Sequence, residues 1–213
     1  MNILYDDEFI AVAIKPAGLV SEEGKSDSFP DRLAKELSSQ RGTDIAAYPV
    51  HRLDKETEGI MVYALSSNAA AILSRDITEG KWQKTYLALL CASPEKSSDV
   101  LHDLLFYDRN RGKSFVVDRE RKGVKDASLE YEVLGKNSDG YTAVKIKLHT
   151  GRTHQIRVQF ASRKLFLCGD RKYGAPASSG NKLALCSSEL TLYHPISREK
   201  LEFKIDPSGF SIE

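Results

Sequence analysis

Asp54 stands in the segment HRLDKETEG (51–59), directly after Leu53 and two residues after Arg52. A carboxylate can act as a nucleophile, as a general base, or as a charge that supports an electron-poor carbon. All three roles suit bond breaking at an anomeric carbon. A second dense segment, GRTHQIRVQF (151–160), offers Arg152 and Arg157 at helix-like spacing. An arginine can keep a carboxylate ionised and oriented through a charge-assisted hydrogen bond. The competing reading of Asp54 is structural: a short acidic side chain capping a turn near Glu56 and Thr57. A metal site drawn from His51, Asp54, His149 and His154 is a further rival. His149 and His154 lack the i, i+4 spacing of a helical zinc pair, and no cysteine cluster accompanies them, so no metal is expected.

The elements that must position these groups can be read along the chain. Residues 3–5 and 9–14 are short apolar runs separated by three acidic residues, and predict two strands. KPAGL (15–19) then breaks the chain with Pro16 and Gly18. Residues 21–28 read as a polar, mobile loop. Pro30 suits a first helical position, with Leu33, Ala34 and Leu37 on one face and an end near Gly42. The HRLD segment reads as a loop ahead of a buried strand over 60–65. Ser66 or Ser67 can cap a helix running to Thr78 and stopped by Gly80. Residues 84–90 predict a strand, and 108–125 an exposed hairpin with a basic face. Two long strands follow over 127–134 and 141–149. Thr153 is expected to cap a helix over 154–162. Short strands over 183–185, 190–193 and 201–205 close the chain. No repeat, low-complexity tract or convincing linker interrupts this order. The reading is one α+β domain over residues 1–213 with a mixed, mostly antiparallel sheet and flanking helices.

Bulk properties narrow the classes. Of 213 residues, 41% are hydrophobic and 29% charged, a soluble globular mixture. Lys and Arg total 31 against 30 Asp and Glu, so a nucleic-acid partner would have to be held by local charge. No run approaches the ~20 apolar residues that span a bilayer. The acidic N-terminus is unlike a secretory signal. Cys91, Cys168 and Cys186 are odd in number and widely spaced, which fits a reducing cytosol rather than a disulfide framework. The expected location is the cytoplasm.

The motifs also resemble a family, the RluA-type RNA pseudouridine synthases. ILYDDEFIAVAIKPAGL (3–19) looks like the family's opening strand pair and KPAG turn. HRLDKETEG matches the segment bearing its catalytic aspartate, KTYLALL (84–90) the segment of its base-stacking tyrosine, and GRTHQIRVQFASRKLFLCGDRKYG (151–174) its longest signature. LALCSSELTLYHP (183–195) looks like the late segment that walls the pocket. The matches span nearly the whole chain in order. The resemblance implies a pseudouridine synthase fold with a central RNA-binding cleft, here as a catalytic domain alone without the small basic domain fused ahead in relatives. It implies isomerisation of specific uridines in structured ribosomal or transfer RNA, with the target base flipped out. Asp54 maps to the catalytic residue, attacking C1′ or abstracting the 2′ proton. Arg157 maps to its charged partner, Tyr86 to the ring that holds the uracil, and Leu185 to an apolar wall. Arg52 could fill the space left by the flipped base or bind phosphate. Arg152, Arg163, Lys164, Arg171 and Lys172, with Asp170 nearly alone against them, could follow the RNA backbone. The isomerisation involves no redox change and no net addition, so no cofactor is expected. RNA is the only partner implied, and a monomer is expected. Glu58, Gln159 and Cys186 stand where the family has a serine and two histidines, which puts RNA contacts or supporting packing in doubt. A non-catalytic RNA-binding or RNA-folding module on the same fold remains the alternative function.

Overall fold

The computed structural model describes residues 1–22, 28–210 and 212. The central part of the loop expected over 21–28, residues 23–27, lies outside them. The described chain forms two compact units, 1–84 with 187–205, and 85–186 with 206 onward.

The first unit is a sheet with two helices. Strands β1 (Ile3–Asp6), β2 (Ile10–Lys15), β4 (Glu58–Ala64) and β10 (Leu185–Tyr193, its part from Ser187 on) lie side by side in that order. β11 (Lys200–Lys204) pairs antiparallel with β10, and the two-residue β3 (Tyr48–Pro49) with β4. β2 and β4 are apolar on both faces, as interior strands must be, with Ile10 to Ala13 and Ile60 to Ala64 fully buried. Helix α1 (Phe29–Arg41) starts where Ser28 Oγ accepts the Asp31 N–H at 3.3 Å, and ends at Gly42 in the left-handed region (φ 68°). Such a cap is worth about 1 kcal/mol. Helix α2 (Ser67–Thr78) is capped by Ser66. Ala69 and Leu73 of α2 close a core against Val12, Ile60, Val62, Trp82, Leu190 and Leu192.

The second unit carries β5 (Gln83–Leu90, from Thr85 on), β9 (Thr142–Leu148), β8 (Val124–Lys136), β6 (Ser98–Asp108) and β7 (Lys113–Val117) in that spatial order. β6, β7, β8 and β9 pair antiparallel. Helix α3 (Gln155–Ala161) packs Val158 onto Leu105 and Ala127. The α+β class with a mostly antiparallel sheet is as the sequence predicts.

Four local readings are corrected. Residues 108–125 are not one hairpin: they are the β6–β7 turn, β7 itself and the turn into β8. The eleven-residue β6 has no period-two pattern to announce it, because adjacent His102 and Asp103 separate its two apolar blocks. Thr153 does not cap α3; His154 precedes the helix in the left-handed region (φ 54°), and no side chain caps it. The strand expected at 190–193 starts earlier, as β10 from Leu185, with Cys186, Ser187 and Ser188 buried in it, while residues 183 and 184 of the strand expected at 183–185 lie outside it.

Candidate active site

Asp54 opens a turn in which its main-chain carbonyl accepts the Thr57 N–H at 3.0 Å. The residues on either side are clamped to the segment 15–21, which begins with the KPAG turn. Ser21 Oγ donates to Leu53 O at 2.8 Å and accepts Leu53 N–H at 3.3 Å. Gly18 N donates to Lys55 O at 2.7 Å. Lys15 Nζ donates to Pro16 O at 2.9 Å, Leu19 O at 3.0 Å and Lys55 O at 3.3 Å. Leu53 and Ser21 are buried while Asp54 stays half-exposed. A hydrogen-bonded backbone therefore presents a carboxylate that solvent can reach.

Lys15 is itself fully buried. Burial pulls its pKa down to about 8, against the opposing pull of Asp54, Glu56 and Glu58. Three carbonyl acceptors and nearby carboxylates offset only part of the cost of burying this ammonium. His51, at the head of the motif, accepts the Val62 N–H through Nε2 at 3.0 Å and meets Trp82 edge-on at 5.4 Å. Burial, and then the Lys84 charge, hold its pKa well below the usual histidine value, so it is a neutral structural acceptor. Gly59 ends the motif at φ 124°, and a Cβ there would lie 2.4 Å from the carbonyl oxygen of Ser187. Only glycine allows β4 that close to β10.

In the second unit, Arg157 sits in the first turn of α3 and is buried. Its Nε and Nη2 donate to Asp170 Oδ2 and Oδ1, each at 2.8 Å. Asp170, the lone acid among the basic residues of this segment, is thus the buried ion-pair partner of Arg157. The Tyr173 ring lies 5.2 Å from the Arg157 guanidinium carbon. The Tyr173 hydroxyl is fixed by the Ser114 N–H at 2.8 Å and pairs with His154 Nδ1 at 2.9 Å. Tyr86 on β5 and Leu185 at the start of β10 are both buried.

The expected RNA contacts differ in their surroundings. Exposed Arg52 pairs with Glu22 at 2.6 Å. Exposed Arg152 donates from Nε to Asp126 O at 2.8 Å, and exposed Lys172 from Nζ to Gly112 O at 3.0 Å. Lys164 is exposed in a left-handed turn (φ 61°). Arg163 is committed to Asp103, at 2.9 and 3.2 Å. Of the three departures, Gln159 is fully buried and donates to Asp103 Oδ2 at 2.7 Å, so it serves packing. Cys186 is buried and Glu58 half-buried at the start of β4. Among the described residues no group of three or more His, Cys, Asp or Glu side chains could hold a metal ion. No helix among them is long and apolar enough to cross a membrane.

Sequence reasoning missed roles for Lys15, Ser21, Asp170 and Tyr173. Lys15 and Asp170 lie in the KPAG and CGDRKYG motifs, and a charge beside glycine or proline in a motif was the signal. Ser21 carried none.

A fold of this kind bearing these motifs defines an RNA-modifying enzyme, and comparison with known proteins agrees. Residues 10–162 match the family described as RNA pseudouridylate synthase. An uncharacterized RNA pseudouridine synthase of Aquifex aeolicus is 39% identical over 97% of this chain and 69% of its own length. The dual-specificity RNA pseudouridine synthase RluA of Escherichia coli is 33% identical over 98% of this chain and 93% of its own. Human RNA pseudouridylate synthase domain containing 4 superposes with a TM-score of 0.77 at 26% identity, over 98% and 90% of the two chains. The chain belongs to the RluA-type RNA pseudouridine synthases, enzymes that isomerise uridine in RNA to pseudouridine.

Proposed function

We propose that this enzyme uses Asp54 as its catalytic residue on a uridine flipped out of structured ribosomal or transfer RNA. The observation that carries the reading is the clamp on residues 53 and 55, which fixes the backbone of a half-exposed carboxylate. The reaction breaks C1′–N1 and joins C1′ to C5 of the same base. Asp54 either attacks C1′ or removes the 2′ proton; both require the ionised carboxylate. Arg157 is its charged partner, Tyr86 the ring that holds the uracil, and Leu185 an apolar wall that excludes water. Base flipping is required because a stacked uridine is inaccessible. Arg52 occupies the space the base leaves, exchanging Glu22 for RNA, while Arg152, Lys164 and Lys172 bind phosphates. The two compact units act as one catalytic domain, monomeric and cytoplasmic, without a cofactor. Support comes from the motif positions and from relatives named for the same reaction over nearly their whole length.

The test is to map pseudouridines in total RNA treated with the purified protein, in chelator and without added nucleotide. Conversion at defined positions in ribosomal or transfer RNA is expected. Conversion that stops in chelator and returns with zinc would overturn the metal-free reading.

A further inference from the structure

The basic stretch over 108–125 takes no part in the proposed catalysis. It holds seven cations, Arg109, Arg111, Lys113, Arg119, Arg121, Lys122 and Lys125, against three acidic residues, in a chain whose net charge is only +1. The local excess therefore calls for a local explanation.

The β6–β7 hairpin has two unlike faces. Leu105, paired with Val116, points to α3 and packs with Val158. On the same face Ser114, paired with Tyr107, donates from Oγ to Thr153 O at 2.5 Å and from N to the Tyr173 hydroxyl. The hairpin turn is fixed as well, by Lys172 on Gly112 O and by the Asp108 carboxylate accepting Asn110 N and Arg111 N at 2.9 and 3.1 Å. The opposite face carries Phe106 and Phe115, directly paired across the strands and only half-buried. A cation stands by each ring: Arg121 is 4.7 Å from the Phe106 centroid and Arg111 5.8 Å from that of Phe115, while Lys113 lies nearer the Tyr173 ring, at 4.6 Å. Neighbouring half-buried rings on a hydrogen-bonded strand pair suit unpaired bases that stack, with the arginines passing from the ring faces to the phosphates. A protein partner is a poorer fit, because the stretch sets seven cations against three acidic residues whereas charged residues are depleted at the cores of such interfaces.

We propose that this face, Phe106 and Phe115 with Arg111 and Arg121, is a second RNA site that stacks unpaired nucleotides flanking the target. It deepens the reading of the chain as an RNA enzyme and rests on it.

The probe is a fluorescent eight-nucleotide oligouridylate. The F106L/F115L double variant keeps apolar bulk but removes both rings. Stacking contributes about 1–3 kcal/mol per base, so affinity should fall at least about tenfold while the thermal midpoint holds. R111A/R121A should make the salt dependence shallower by about one unit in the log–log slope. Ultraviolet cross-linking of the same octamer to wild-type protein should place adducts on the peptides holding Phe106 or Phe115. That measurement decides the matter if the double variant does not fold. A folded F106L/F115L protein that binds the octamer as wild type does, or adducts confined to other peptides, overturns the proposal. These readouts do not depend on turnover. A wild-type protein that forms no pseudouridine would overturn the catalytic reading instead.

Discussion

Arg157 and Asp170 face each other in the plane of the guanidinium, with two parallel hydrogen bonds of 2.8 Å and side chains only 4% and 1% exposed. A forked pair of this kind fixes direction as well as charge. With the Tyr173 ring against the guanidinium, the arginine's orientation is set before any RNA arrives. Asp170 is therefore a positioning residue for the proposed role of Arg157.

Removing one partner leaves an uncompensated buried charge. Asp170→Asn should cost about 3–5 kcal/mol of unfolding free energy. It should also lower the single-turnover rate at saturating RNA. In a cycle with Arg157→Leu, the double variant should be more stable than the two single losses together imply. Additive losses in denaturant unfolding would show that the pair does not act as a unit.

Asp54→Asn keeps the shape of the side chain and removes its charge. The turn should survive, because its bond is made by the main-chain carbonyl of Asp54 and the Ser21 and Gly18 bonds beside it run to the main chain of Leu53 and Lys55. Pseudouridine formation should fall below detection while RNA affinity stays within about threefold of wild type, a shift of well under 1 kcal/mol. Turnover at the wild-type rate would remove Asp54 from the chemistry.

Ser21 tests the clamp itself. Its hydroxyl is the partner of both the N–H and the carbonyl of buried Leu53. Ser21→Ala leaves those groups without it, at about 1–3 kcal/mol in stability. The turnover rate at saturating RNA should drop while affinity changes little, since Ser21 is buried away from solvent. A stability loss with an unchanged rate would mean that the clamp does not position Asp54.

The sequence disclosed what is periodic or local. Ser28, Ser66 and Gly42 are caps set by neighbours three or four residues away, and the α2 cap and the end of α1 at Gly42 were legible. β2 and β4 announced themselves as apolar runs. What stayed hidden depends on partners distant in sequence. Ser21 meets Leu53 across 32 residues, and the α3 entry is set by His154 and Tyr173, 19 residues apart. Asp170 stands in the sequence only as a lone acid among basic neighbours, whereas its burial goes with Arg157, thirteen residues earlier on another element. Composition around a residue reports its solvent neighbours, not its partner.

Lys15 makes the pH dependence testable. Its pKa falls from 10.5 to about 8 in the folded protein, mainly through burial. The folded state therefore gives up this proton at lower pH than the unfolded chain, and between those values the unfolded chain binds more protons. Stability must then rise with pH across about 8 to 10.5, because a desolvated charge is being discharged. Lys84, also lowered to about 8 by burial, contributes in the same sense. Comparing wild type with Lys15→Met cancels the Lys84 part. The wild type should gain on the variant by up to ~3 kcal/mol over that window in denaturant unfolding. Below pH 8 the difference should be flat. Loss of the proton also removes a positive charge near Asp54 and leaves two N–H donors for three carbonyl acceptors, so the single-turnover rate should decline above pH 8 even as stability rises. A wild-type-minus-variant difference that stays level from pH 8 to 10.5 would mean that the lysine is solvated. The three carbonyls could not then be what holds the turn of Asp54 in place.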